Sequence, residues 1–156
     1  VKGSYLLVLA LPHAVAGLQV GRLGRFDFAP GWYLYVGSAF GPGGLAARIA
    51  YHRRRDKARP HWHFDYLRPH GQLCEAWTVA GPERLECRWC RALAARPELS
   101  TPAPGFGARD TGCGTHLFYL PRRPRMAFLS AALLGEVVVR DPPELLVEIH
   151  CFDDEP

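Results

Sequence analysis

Trp32 to Arg55, WYLYVGSAFGPGGLAARIAYHRRR, reads as a strand, a glycine-rich turn and a helix in direct succession. Trp32 to Val36 is aromatic and β-branched, a composition that suits a pleated, half-buried surface. GSAFGPGG then supplies residues that permit a tight turn and close backbone packing. It lacks the Lys-Ser/Thr pair that closes a Walker loop, so the glycines are read as structural rather than as a nucleotide site. From Leu45 to Arg55 the apolar pair Leu45 and Ile49 recurs at i and i+4, one face of a helix.

Working upstream, Tyr5 to Leu11 (YLLVLAL) is an apolar run suited to a strand buried on both faces, and it is expected to pair with Trp32 to Val36. Leu18 to Val20 and Phe26 to Phe28, separated by Gly21 and Gly24, add strand and turn character between them. Downstream, Cys74 to Ala80 has core-strand composition, and Pro82 fits the first turn of a helix from Glu83 to about Ala95, with Leu85, Trp89, Ala92 and Arg96 on one stripe. Ser100 to Gly107 reads as a surface loop and Thr115 to Leu120 as a strand closing the sheet. Met126 to Leu134 suits a helix, Val137 to Val139 with Leu145 to Phe152 a hairpin, and Asp153-Asp154-Glu155 a frayed tail. The expected fold class is α+β: a small mixed, mainly antiparallel sheet flanked by helices.

The chain has 156 residues, 48% hydrophobic and 22% charged, enough for one domain with a real core and unlike a disordered chain. Its apolar runs fall short of the ~20 residues of a spanning helix, so a cytoplasmic protein without membrane contact is expected. The net charge of +4 favours a polyanionic partner. Arg53, Arg54, Arg55, Lys57 and Arg59 form one basic run, and Arg122, Arg123 and Arg125 a second. Each can be a solvated face or a phosphate-binding one.

The five cysteines form an odd set, so a disulfide framework is not expected. Cys87 and Cys90 are spaced C-x-x-C, while Cys113 and His116 supply C-x-x-H, ligand types that a tetrahedral zinc accepts. The helical pattern around Cys87 and Cys90 is unlike a knuckle turn, and this disfavours structural zinc against ordinary buried cysteine.

Three short features invite a joint reading: Gly3-Ser4-Tyr5, Tyr35-Val36-Gly37, and Arg48 with His52 one turn later on a helical face offset from Leu45 and Ile49. Taken singly, each tyrosine is an ordinary packing residue. Together, and in this order, they resemble the GIY-YIG nuclease superfamily, with Ser in the middle of the first signature. The likeness extends to a branch that stands alone or is attached to base-excision endonucleases. It is carried by YVGSA, GPGGL-x-x-R, HWHFDYL, LEC at Leu85 to Cys87, and GFGARDTGCGTHLFYL from Gly105 to Leu120. The chain departs from that branch at Tyr51, where Arg is expected, and at Thr111-Gly112, where Cys is commoner.

The resemblance implies a nuclease-like domain over residues 1–121 with an extension, 122–156, packed on or beside it. It implies a divalent-metal-dependent endonuclease acting on DNA in repair or processing, with Mg²⁺ or Mn²⁺ as cofactor and another repair enzyme as a candidate partner. Tyr5 or Tyr35 would orient or deprotonate water, Arg48 would brace phosphoryl oxygens, His52 would assist proton transfer, and Glu86 would hold the metal. A DNA-binding module without turnover is the alternative, and a zinc-stabilised interaction domain a weaker one. His61, His63 and Asp65 alternate, so an extended strand would align them as ligands. The plainer reading, hydrogen-bonded residues that fix the loop beneath the Arg48 helix, is preferred.

Overall fold

The computed structural model describes residues 1–108, 111–135 and 147–152. Four strands come first: β1 (Gly3–Leu11), β2 (Val15–Val20), β3 (Gly24–Phe28) and β4 (Gly31–Ala39). Helix α1 (Gly44–Arg53), helix α2 (His63–Leu67), a 3-10 turn (Arg68–His70) and β5 (Gln72–Ala80) follow. Then come α3 (Glu86–Ala94), β6 (Leu117–Leu120), α4 (Met126–Leu134) and β7 (Val147–Cys151).

The fold is α+β. Five strands form one sheet in the order β6-β4-β1-β5-β7, and β2 and β3 form a separate ribbon. Every pairing is antiparallel, so the sheet expected to be mixed is uniform. β1 pairs with β4 as its composition implies, and lies at the centre because both its faces are apolar.

Alternation along β1 sorts two cores. Tyr5, Leu7, Leu9 and Leu11 point to one side with Tyr33 and Tyr35 of β4, where Leu45, Phe64 and the ribbon residues Val20 and Phe28 cover them. Leu6 and Val8 point to the other side with Leu34 and Val36, where Leu85, Trp89 and Leu93 of α3 and Leu129 and Leu133 of α4 cover them. Each face therefore carries its own hydrophobic layer, and a one-residue slip of β1 would exchange the two sets.

Two expectations change. His61 to Leu67 is not extended: α2 begins at His63, so His61, His63 and Asp65 do not share a strand face. The α3 helix starts at Glu86 rather than Glu83, and its buried stripe is Leu85, Trp89, Cys90 and Leu93, not Ala92 and Arg96. Spacing of i, i+4 and i+8 directs Leu85, Trp89 and Leu93 inward, and shortening Trp89 to Ala would cost about 3–5 kcal/mol. At the C-terminus, β7 pairs with β5 along the sheet edge, while the expected hairpin arm Val137 to Val139 lies outside the described residues. No described helix is long and apolar enough to cross a membrane.

Candidate active site

The register of β1 on β4 sets Tyr5 opposite Gly37 and Leu7 opposite Tyr35. The Tyr5 ring lies across Gly37 so closely that a Cβ there would sit 2.4 Å from its Cζ and hydroxyl oxygen. The two tyrosine signatures are thus one unit, the glycine of the second making room for the tyrosine of the first. Tyr35 stacks on Phe64 with ring centres 4.7 Å apart and meets Phe106 edge-on at 5.9 Å. Gly107, at φ 69°, fits against it, since a Cβ there would stand 3.0 Å from Tyr35 Cε1.

Helix α1 brings Arg48 and His52 to the same face of the sheet, one turn apart. His52 is fully buried, and its Nε2 is 2.9 Å from the Tyr5 hydroxyl. Its Nδ1 is buried without a hydrogen-bond partner among the described residues. No second bond therefore fixes the tautomer, and the ring can accept a hydrogen bond from Tyr5 or donate one to it. Burial drives the His52 pKa down to about 3 against a smaller opposing pull from Asp65, so the imidazole is neutral at physiological pH. Burial drives the Tyr5 phenol upward; the charge of Arg48 and a hydrogen bond from it act the other way without overcoming it. The Tyr35 phenol is raised by burial and by the neighbouring Tyr5.

Arg48 is half-buried. Its Nη1 donates to the Ser38 carbonyl at 3.2 Å, and its guanidinium lies 4.5 Å from the centre of the Trp62 ring. The last turn of α1 is held by Arg68, which is 1% exposed. Its Nε donates to the His52 carbonyl at 2.9 Å and its Nη2 to the Arg53 carbonyl at 2.8 Å. These carbonyls lack helical partners, so the arginine acts as a buried C-terminal cap.

Glu86 comes from α3, on the opposite face, near enough to Tyr5 and Tyr35 for its charge to add to burial in pushing both phenols up. The Ser4 hydroxyl accepts the Leu85 backbone N–H at 3.1 Å, seating the start of α3. Glu86 Oε1 lies 3.0 Å from His116 Nδ1. His116 is buried, and the same nitrogen is 3.1 Å from the Val36 carbonyl. Two acceptors on one nitrogen mean that Nδ1 carries the proton and donates. His116 Nε2 is 2.9 Å from Thr111 Oγ1. Burial pushes the Glu86 carboxyl up, but hydrogen bonds from His116 and Ser38 and the charge of Arg84 outweigh it, and the net shift is downward.

The five residues expected from sequence therefore form a floor and a rim. Tyr5, Tyr35 and His52 are buried between α1 and the sheet, and Arg48 and Glu86 are the more accessible groups.

Asp65 has a structural task. Its Oδ2 accepts the Tyr51 hydroxyl at 2.6 Å and the backbone N–H groups of His61 and Trp62 at 2.8 and 2.9 Å, tying α2 to α1. Lys57 Nζ stands 3.7 Å from Asp65 Oδ1 with its side chain 2% exposed, and it also donates to the Arg54 carbonyl. Burial lowers its pKa to about 8. Lys57 is thus turned inward, a correction to its expected place on the basic run, because a buried carboxylate attracts the nearest flexible cation. Arg53, Arg54 and Arg59 are exposed, whereas Arg55 is half-buried and donates to the Pro69 carbonyl at 3.5 Å.

The cysteines also depart from expectation. Cys87 is bonded to Cys113, 26 residues away in sequence, while Cys90 and Cys151 are free. The four residues weighed as zinc ligands do not converge: Cys90 is buried in the α3 core and His116 is engaged with Glu86. Among the described residues no three His, Cys, Asp or Glu side chains gather around a metal position. A cation on Glu86 would complete its shell with water and substrate oxygens, the pattern Mg²⁺ favours. The single, partly exposed carboxylate fits that ion.

Ser4, Ser38, Thr111, Arg68 and His116 carry the support of this site. The sequence held one signal for a serine, its place inside a tyrosine signature; His116 was weighed only as a zinc ligand. Neither the curated proteins nor the solved structures contain a match to the chain. A family model described as "Domain of unknown function DUF123" matches residues 4–138, and the chain belongs to that family.

Proposed function

We propose that the chain is a GIY-YIG-type endonuclease that hydrolyses DNA phosphodiester bonds with a divalent cation, Mg²⁺ or Mn²⁺. The observation that carries this reading is the Tyr5–His52 hydrogen bond of 2.9 Å beneath Arg48, with Glu86 brought from the far face of the sheet. Two tyrosines, an arginine, a histidine and a glutamate standing together in the order of the resembled signatures support it.

Hydrolysis requires an oriented water, a route for its proton and positive charge over the phosphoryl oxygens. Arg48, half-exposed and always charged, braces the oxygens. Buried Tyr5 and Tyr35 form the floor over which the attacking water would be oriented. Neutral His52 fixes the Tyr5 hydroxyl through their 2.9 Å hydrogen bond, accepting or donating it according to its tautomer. Glu86 stays ionised through His116 and Ser38 and holds the cation, which when bound neutralises charge at the scissile phosphate and at the leaving 3′ oxygen. Exposed Arg53, Arg54 and Arg59 extend the positive surface for neighbouring phosphates.

A DNA-binding module on the same scaffold is the second reading, favoured by the deep burial of Tyr5 and His52. The two separate on one comparison: supercoiled, single-stranded and branched DNA incubated with Mg²⁺ or Mn²⁺, or with chelator, beside the Glu86→Ala variant. Metal-dependent cutting by the parent, lost in the variant while DNA affinity persists, supports the nuclease. Binding without cutting by the parent rejects it in favour of the module.

A further inference from the structure

Cys87 immediately follows Glu86 in the first turn of α3, and Cys113 lies three residues before His116. Their Cα atoms are 6.2 Å apart, within the reach of a disulfide. The bridge therefore joins the two segments that make the Glu86–His116 pair. On the loop side, Thr111 Oγ1 holds His116 Nε2 at 2.9 Å, and His116 Nδ1 holds Glu86 Oε1 at 3.0 Å. The stretch Gly112 to Gly114 between them is loosely packed. A Cβ added at Gly112 or Gly114 would meet nothing within 4 Å. The end of the loop is anchored, by His116 N–H to the Phe106 carbonyl at 2.7 Å and Val36 N–H to the His116 carbonyl at 3.0 Å. Residues 111–114 are tied by Thr111 N–H to the Ala108 carbonyl at 3.3 Å, Cys113 N–H to Thr111 Oγ1 at 3.3 Å and Gly105 N–H to the Gly114 carbonyl at 2.7 Å. Both sulfur-bearing residues line a cavity of about 540 Å³, shared with Cys90, Arg91 and Thr101, which gives a small thiol access.

We propose that Cys87 and Cys113 form a reversible thiol–disulfide site through which a dithiol reductant loosens the loop behind Glu86 and a disulfide oxidant restores it. The effect on catalysis rests on the nuclease reading; the redox site itself does not. A thiolate of the reductant attacks Cys113 Sγ, forming a mixed disulfide and expelling Cys87 as a thiolate that takes up a proton. The second thiol of the reductant then displaces Cys113, which is likewise protonated. Two electrons pass to the protein, one S–S bond becomes two S–H groups, and the reductant leaves as its own disulfide. Cys90, one turn along α3, does not capture Cys87: its thiol is 3% exposed and burial pushes its pKa up, so it stays protonated.

The test compares the whole chain after treatment with a small disulfide and after treatment with a dithiol. Denatured and alkylated, the oxidised chain should leave Cys87 and Cys113 unlabelled, and the reduced chain should carry labels on both. Reduction should speed hydrogen exchange in residues 111–116 and weaken Mn²⁺ affinity, read by electron paramagnetic resonance without substrate, by roughly tenfold, as expected for loss of support behind a ligand. Cys87→Ser should behave as the reduced chain under both treatments; if it does not fold, the two states of the parent still decide. Labelling of Cys87 and Cys113 after oxidation, or exchange and Mn²⁺ affinity that ignore the treatment, overturns the proposal. Redox-dependent Mn²⁺ affinity with no DNA cutting in either state upholds this site and sinks the nuclease. Equal cutting in both states upholds the nuclease and overturns the switch.

Discussion

Acidification should strike this protein at His52 before it reaches most carboxylates. In the unfolded chain this histidine binds its proton near 6.5; in the fold, burial delays binding to about 3. Between those values the unfolded state holds one more proton, so stability rises with pH, is fully present above about 6.5, and falls as the pH drops toward 3. With about 1.4 kcal/mol per pH unit, the loss is about 2 kcal/mol between pH 7 and pH 5, and roughly 5 kcal/mol once the window is crossed. Urea unfolding of the chain and of His52→Gln at pH 7, 6 and 5 measures this. Carboxylates common to both proteins cancel in the comparison, leaving the histidine. The variant should start less stable at pH 7, having lost the Tyr5–His52 bond, yet lose less on acidification. Parallel pH slopes for the two proteins would refute the reasoning and mean that His52 is protonated in the fold.

Gly37→Ala should force the Tyr5 ring off its seat, since the new methyl would stand 2.4 Å from the phenol; a stability loss of about 1–3 kcal/mol by thermal melting, with DNA cutting abolished, is expected. Asp65→Ala removes the acceptor of three hydrogen bonds and leaves Lys57 facing inward without its partner. It should cost about 3–5 kcal/mol in urea unfolding, and more than the removal of an exposed charge. Arg54→Ala should weaken DNA binding and reduce the slope of log affinity against log salt by about 1, whereas Lys57→Ala should lower stability and leave that slope unchanged.

Much of the architecture was legible in short stretches of chain. The apolar run Tyr5 to Leu11, the aromatic Trp32 to Val36, Cys74 to Ala80 and Met126 to Leu134 all became the elements their patterns implied, since periodicity and side-chain shape are local properties. Boundaries slipped where local signals compete. Pro82 invited a helix three residues early, and the segment HWHFD, preferred as a hydrogen-bonded support of the Arg48 helix, supplies that support from a helical turn capped by Asp65 rather than from an extended stretch.

The sequence by itself determined which segments are strand or helix, and which residues have the chemistry for a site: Tyr5, Tyr35, Arg48, His52 and Glu86. Only the tertiary structure decided what stands behind them. Ser4 seats α3 across 81 positions of sequence, His116 just before β6 steadies Glu86, Lys57 folds inward to Asp65, and Cys113 finds Cys87 rather than leaving it to Cys90. These partnerships, and the neutrality of His52, depend on burial and on strand register, which bring distant residues within hydrogen-bond reach in a low-dielectric interior. Neither is a property of any window of the chain.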